Sequence, residues 1–324
     1  MASNPQVIGI GEVLIDFIGV EQTSLDKAET FKKCFGGAPM NTIVGVARLG
    51  VKAGAIAAVG DDFFGRFILG EFEKNNVDTS HLKIKKGVRT TLAFIVNDPV
   101  KGWVCIFYRS PWLKHTSDSL LSPKDIDFDY ISKARILHVS GFALSQNPAR
   151  QAVIEAVKHA KNSGVSVSFD PTLRLDVWRS EEILRKTYVQ MLRSADIATF
   201  SREEARFIFG TSNPRIVAEK AFKYGVKIAG VKLGDRGSFL KARNGPETYM
   251  PAFKVKAVDV TGAGDGWNAG LLVGLCKGLD VEQCAQVANA VGALVVTKPG
   301  AITALPSRND LNRFLKANNV KISI

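Results

Sequence analysis

Hydrophobic and polar positions follow two rhythms along this 324-residue chain. Before about residue 112, short apolar runs and alternating segments predominate; from Ile136 onward, strand-like and helix-like runs exchange regularly. Val7-Ile8-Gly9-Ile10-Gly11 is an apolar strand that runs on through Glu12 as far as Val20, with Asp16 a lone carboxylate between hydrophobic neighbours. A carboxylate so placed either ends a strand in water or is aimed at a ligand. Cys34-Phe35-Gly36-Gly37-Ala38-Pro39-Met40-Asn41 makes a Gly-Gly turn into a helix that carries Ile43, Val44, Val46, Ala47 and Leu49 and ends at Gly50. A strand over 53–59 follows, and the turn at 60–65 opens a helix reaching about residue 74. Residues 90–97 and 103–108 alternate as antiparallel strands across Asp98-Pro99-Val100-Lys101-Gly102. With the strands around Ile15 and Phe31 they predict a small sheet apart from the main core. Arg109, at the end of that hairpin, is expected to project from its rim, either as a surface arginine or as the cation that receives an anionic or hydroxyl-rich substrate.

In the second half, strands over 136–139, 165–169, 197–200 and 228–233 interleave with helices over 149–162, 181–193 and 214–224. That alternation predicts an α/β fold, a mainly parallel sheet with helices on both faces. In such a sheet the loops at the carboxyl ends of the strands carry the site. Those loops contain Asp170-Pro171-Thr172-Leu173-Arg174, Ser201-Arg202-Glu203-Glu204 and Gly234-Asp235-Arg236-Gly237.

The most informative stretch is Asp259-Val260-Thr261-Gly262-Ala263-Gly264-Asp265-Gly266. It lies between an alternating segment, 253–258, that reads as a strand and the apolar run 269–275, which reads as a buried helix. Small residues where a strand turns into a helix let backbone N–H groups converge, and the helix adds unpaired donors and the positive end of its dipole. The result is a site for an anion. A carboxylate beside bound phosphate needs another task, and Asp265 fits as acceptor of a substrate hydroxyl proton while that oxygen attacks phosphorus. It also fits as an acidic residue favoured by the dipole in a first helical turn.

Composition narrows the classes. At 46% hydrophobic the chain can bury one large core with a smaller appendage. It has no apolar run of membrane-span length and no charged-then-apolar leader, so a cytoplasmic protein is expected. Cys34, Cys105, Cys276 and Cys284 match no common metal spacing and are expected reduced and packed. The net charge of +12 is spread out. Its densest basic stretch, residues 83–89, lacks interleaved aromatics and reads as a solvated turn, not a nucleic-acid surface. The charge instead suits an anionic small substrate.

With both glycine motifs placed, the chain resembles the PfkB/ribokinase family of ATP-dependent sugar kinases over nearly its full length. Gly36-Gly37-Ala38-Pro39-Met40-Asn41 and Asp259-Val260-Thr261-Gly262-Ala263-Gly264-Asp265 carry the likeness. It implies a three-layer α/β/α ribokinase-like domain with a small β-sheet lid formed by about 12–35 and 88–112. It further implies Asp265 as catalytic base, Gly262, Ala263 and Gly264 as anion hole, and Asp16, Gly36, Gly37 and Asn41 as holders of sugar hydroxyls. Phe107, Arg109 and Arg174 would join them on the substrate. Lys232, Gly234, Asp235, Gly237 and Gly264 would line the nucleotide, with Asn289 near the adenine. Asp259 and Thr261 match positions that help bind a monovalent cation such as K+ in some members. Two positions depart from the pattern. Ser201 replaces the asparagine of an Asn-x-x-Glu element that organises Mg2+ through water, with Glu204 kept, and Thr172 replaces the asparagine of Asp-x-Asn-x-Arg.

Gly11-Glu12, Gly36-Gly37-Ala38-Pro39, Phe107-Tyr108-Arg109 and residues 170–178 look most like the fructokinase and 2-keto-3-deoxygluconate kinase branch. The expected reaction is phosphoryl transfer from ATP to a ketohexose. Alternatives are 2-keto-3-deoxygluconate or 5-keto-2-deoxygluconate as acceptor, or a nucleoside. A homodimer through the lids is expected, with no nucleic-acid or membrane partner. A dinucleotide-binding oxidoreductase is disfavoured because the first strand lacks the third glycine and helix entry of that fingerprint. A non-catalytic binding relative is disfavoured by retention of Asp265.

Overall fold

The structure is a computed structural model that describes residues 4–109, 113 and 115–324. The first third contains β1 (Val7–Ile10), β2 (Leu14–Gly19), β3 (Phe31–Gly36), α1 (Ala38–Arg48), β4 (Ala53–Gly60), α2 (Phe63–Lys74), β5 (Leu82–Lys85), β6 (Leu92–Asp98) and β7 (Gly102–Tyr108). The middle contains α3 (Phe128–Ser132), β8 (Ile136–Ser140), α4 (Ala149–Asn162), β9 (Ser166–Asp170), α5 (Glu181–Ser194), β10 (Ile197–Ser201), α6 (Arg202–Phe209) and α7 (Pro214–Phe222). Then come β11 (Ile228–Lys232), β12 (Ser238–Ala242), β13 (Glu247–Met250), α8 (Ala263–Cys276), α9 (Val281–Val295) and α10 (Arg308–Ala317).

Nine strands form one sheet in the order β13-β12-β11-β10-β9-β8-β1-β4-β5. Pairing is parallel from β11 through β5, and β12 and β13 add an antiparallel edge. Its central strands are buried on both faces, as strands covered by helices on each side must be. One apolar cluster joins Ile8, Ile10, Leu137 and Val139 to Val153 and Val157 of α4 and Leu184 and Met191 of α5. The other joins Val7, Ala55 and Ala57 to Ile43 of α1, Leu271 of α8 and Val287 of α9. The α/β expectation therefore holds in three layers.

Four strands form the small sheet, ordered β3-β2-β6-β7. The register puts Asp16, Cys34, Ala93, Cys105 and Phe107 on one face and Phe17, Phe31, Phe94, Ile106 and Tyr108 on the other. Of the residues expected in this sheet region, 110–112 lie outside the described ones.

Three sequence expectations change. The run from Val7 to Val20 is two strands in two sheets, because Glu12 turns inward to accept from the Ala38 N–H at 3.1 Å and the Ser140 hydroxyl at 2.5 Å. Residues 253–258 join no ladder. The basic stretch expected as a turn contains the edge strand β5, parallel to β4, where lysines blunt an exposed edge.

Candidate active site

Asp265 is the third residue of α8, whose cap, Gly262, is left-handed. The Ala263 N–H is taken by Val260 O at 3.1 Å, so within the expected trio of Gly262, Ala263 and Gly264 this amide is not free for an anion. The amides of Gly262, Gly264 and Asp265 find no acceptor among the described residues. They stand at the positive end of a helix dipole, ready for an anion.

Asn41, in the first turn of α1, donates its Nδ2 to Asp265 Oδ2 at 2.8 Å, and Thr42 Oγ1 donates to the Asp265 carbonyl at 3.2 Å. Burial raises the Asp265 pKa to about 7, against the lowering effect of the Asn41 hydrogen bond, with Asp170 adding to the rise and Lys232 and Arg174 opposing it. A carboxylate poised near neutrality suits proton acceptance.

Asp16 reaches the same place from the small sheet. Gly36 is glycine because a Cβ would fall 2.4 Å from Asp16 Oδ2, and Gly37 because its φ is 109° and a Cβ would meet the Glu12 carbonyl at 2.6 Å. Burial, then the neighbouring Asp265 charge, raises the Asp16 pKa to about 8, while Arg174 pulls it down.

Arg174 follows β9. Its Nη1 donates to Leu173 O at 2.8 Å, its Nε has no partner among the described residues, and its guanidinium lies 5.0 Å from the Trp103 ring centroid. Trp103 was not singled out by sequence reasoning. It projects from β7 on the Asp16 face and donates Nε1 to Thr261 Oγ1 at 3.3 Å, tying the small sheet to the motif loop.

Beneath these groups lies a charged cluster. Lys232 Nζ pairs with Asp170 Oδ2 at 2.5 Å, and Asn268 Nδ2 donates to the same oxygen. Despite its burial, Asp170 is held below the usual carboxylate range by Lys232 and Asn268. Glu204 accepts from Leu173 N at 3.0 Å and Ser201 N at 2.6 Å. Burial and then Asp170 raise its pKa. Ser201 caps α6 in a reciprocal box with Glu204, so the serine that departs from the family pattern still positions the carboxylate. Thr172, the other departure, has φ 43°, a left-handed conformation that asparagine adopts more easily than a β-branched residue.

Two expected site residues are placed differently. Arg109 does not project from a rim: it is fully buried, with Nε on Asp118 Oδ2 at 2.6 Å, Nη1 on Ser145 Oγ, and its guanidinium over the Phe142 ring. A guanidinium inside the protein requires a counter-charge, and Asp118 supplies it. Phe107 packs beside it on Phe142, ring centroids 4.9 Å apart. Asn289 has its carboxamide filled by the protein: Oδ1 accepts from Ser238 and Trp267, and Nδ2 donates to Met250 O and Pro251 O. That uses both donors and both acceptor sites, leaving none for an adenine. Gly234, Asp235 and Gly237 form the turn after β11, at the carboxyl edge of the sheet.

No group of three or more His, Cys, Asp or Glu suited to a metal occurs among the described residues. The donor set fits Mg2+ only through water and phosphate oxygens, with Glu204 as anchor, which is how this reluctantly dehydrated ion is usually held. Asp259 accepts from Thr261 N at 2.9 Å, Thr261 Oγ1 at 2.7 Å and Gly300 N at 2.8 Å. These hard oxygens, gathered by the loop, suit a monovalent cation.

A model describing the pfkB family carbohydrate kinases matches residues 4–308. The chain belongs to this family of carbohydrate kinases. Among relatives, "Probable fructokinase-7" of Arabidopsis thaliana is 37% identical over 333 residues, covering 97% of this chain and 94% of that protein. The 5-dehydro-2-deoxygluconokinase 1 of Bacillus cereus is 31% identical over 317 residues, covering 96% and 94%. Among solved structures, a double mutant of fructokinase from Vibrio cholerae O395, with fructose, ADP and a potassium ion bound, superposes with a TM-score of 0.85 at 30% identity, covering 97% of this chain and all of that one. Within the family, the enzyme is an ATP-dependent phosphotransferase with an alcohol acceptor.

Proposed function

We propose that the protein phosphorylates a hydroxyl of a ketohexose, fructose first among candidates, with ATP as donor. The observation that carries this reading is the Asp265 carboxylate, held by Asn41 in the first turn of α8 beside amides without acceptors. Asp265 takes the hydroxyl proton, the freed oxygen forms its bond to the γ-phosphorus, and the bond to the bridging oxygen breaks with its electron pair leaving on ADP. The amides of Gly262, Gly264 and Asp265 stabilise the transferring oxygens. Asp16, Asn41 and Arg174 hold the sugar, and the turn at Gly234, Asp235 and Gly237 lies along the nucleotide. Glu204 would hold the water shell of Mg2+, which when bound offsets phosphate charge, and Asp259 and Thr261 would hold K+.

A sugar acid is the second reading. It is favoured by the unpartnered Arg174 Nε near Asp16, and by a 31% identical relative named as a 5-dehydro-2-deoxygluconokinase. We further infer a cytoplasmic homodimer joined through the small sheets, since the face opposite Asp16 carries stacked Phe17 and Phe94 with Ile106 and Tyr108 exposed. No described helix is long and apolar enough to cross a membrane. The deciding experiment is coupled ADP formation with Mg2+ across fructose, 2-keto-3-deoxygluconate, 5-keto-2-deoxygluconate, ribose and nucleosides. Fructose should lead. A nucleoside-only activity would overturn the acceptor assignment.

A further inference from the structure

We propose that Glu12 is a positioning residue of the phosphoryl transfer proposed above, setting the places of Asn41 and Asp16 around the acceptor sugar without touching it. It sits where the chain leaves the large sheet at Ile10 and enters the small one at Leu14, and it is 2% exposed. A carboxylate so enclosed has to be met by donors, and two segments far apart in the chain supply them. Oε1 takes the Ala38 N–H at 3.1 Å, and Oε2 takes the Ser140 hydroxyl at 2.5 Å.

The Ala38 contact fixes where α1 begins. Helix geometry leaves the amides of a first turn without intrahelical acceptors. In α1, Pro39 has no N–H, and the Met40 and Asn41 amides go to the Gly37 carbonyl at 3.1 and 2.8 Å. The Ala38 amide is left to find a side chain, yet α1 has no acidic residue in its own first turn and its cap, Gly37, has no side chain to offer. Glu12 brings both the acceptor and the negative charge that a helix N-terminus favours. Ser140 ends β8, so the same carboxylate is anchored to a strand of the large sheet. The crossing is close-packed: a Cβ on Gly37 would meet the Glu12 carbonyl at 2.6 Å and Val13 Cα at 2.9 Å, and one on Gly11 would meet the Ala143 Cβ at 2.9 Å. Asn41 stands in the same first turn as Ala38, bonded to Asp265 and with Oδ1 unpartnered among the described residues. Asp16 lies on β2, the strand that leads away from Glu12. A shift at Glu12 therefore moves both groups proposed to hold the sugar. The competing explanation is that Glu12 only caps α1 and adds stability.

The test separates these explanations through Glu12→Ala, Glu12→Gln and Glu12→Ala/Asn41→Ala. Glu12→Ala is expected to lower kcat and raise the sugar KM, so that kcat/KM falls by about 10², the usual result of a displacement of about 1 Å that starts away from the chemistry. ADP binding measured by calorimetry should stay as in wild type. Glu12→Gln keeps an acceptor for Ala38 and a polar group for Ser140, and should restore most of the loss. The double variant should lose much less than the product of the two single losses, because one residue acts through the other. A fall in kcat with both KM values unchanged would mean fewer folded molecules, and fully multiplicative losses would mean independent sites; either overturns the proposal. If Glu12→Ala does not fold, Ser140→Ala carries the test, since it releases one oxygen and leaves α1 capped: a raised sugar KM is expected, and wild-type kinetics would overturn the proposal. A wild-type protein that forms no ADP with any sugar would overturn the kinase reading and this proposal together, whereas an active wild type with a fully active Glu12→Ala variant overturns this proposal alone.

Discussion

Asn41 Nδ2 and Asp265 Oδ2 meet at 2.8 Å although 224 positions separate them in the chain. This contact joins the two glycine motifs and is the largest of the effects, with Lys232 and Arg174, that keep the Asp265 carboxyl from rising further above its ordinary pKa. Asn41→Ala should therefore move the acid limb of the kcat/KM profile to higher pH. A pH–rate profile checks it: activity lost at pH 7 should return in part near pH 9, whereas an unshifted limb would separate the contact from the proton acceptor.

Asp265→Asn should reduce kcat by about 10² to 10⁴, the range of general-base catalysis. ADP binding should persist, since the substitution leaves the backbone amides of the proposed anion hole in place. Stability should respond with opposite sign. The folded-state pKa of about 7 is raised above the ordinary value of 3.8, so the stability this group contributes is full below the unfolded pKa and lost as pH rises through about 7. Asp265→Asn should accordingly melt higher than wild type at pH 8 and equally at pH 4. A variant that melts lower at pH 8 contradicts the buried-charge argument.

The indole of Trp103 spans from Thr261 to Arg174. Trp103→Ala should raise sugar KM by about tenfold while leaving ATP KM nearly unchanged, a loss comparable to one stacked cation–π contact plus a hydrogen bond. Trp103→Phe keeps the ring over Arg174 and should restore most of that loss. Equal effects on both substrates would place Trp103 in general folding instead.

Arg109→Met should destabilise the fold by about 3 to 5 kcal/mol, because Asp118 is left buried without its cation. Urea unfolding of Arg109→Met beside Arg109→Met/Asp118→Asn checks it. The double variant should regain much of the loss, and an Arg109→Met protein as stable as wild type would remove the ion pair from the account.

Thr172→Asn should stabilise the chain by about 1 kcal/mol, because asparagine tolerates the left-handed conformation that threonine occupies with φ 43°. Thermal melting measures it; a lower melting temperature would mean that the weak hydroxyl contacts of Thr172 to Asp170 outweigh the backbone strain.

The sequence alone determined most of the strands and helices and the two glycine turns that lead into helices, because periodicity and glycine placement are local signals. The helix α4 falls on its expected span, 149–162, and the hairpin of β6 and β7 begins and ends within two residues of its expected bounds. Asp265 at a helix start was legible for the same reason. Partnership was not. Arg109 follows a strand end and looks free until the fold delivers Asp118 and Ser145 to it, and Asn289 looks available until Ser238, Trp267, Met250 and Pro251 fill it. Trp103 carried no motif that marked its neighbours. Hydrogen bonds and ion pairs form through space between residues from nine to hundreds of positions apart, so only the packed chain decided whether each polar group faces a ligand or another part of the protein.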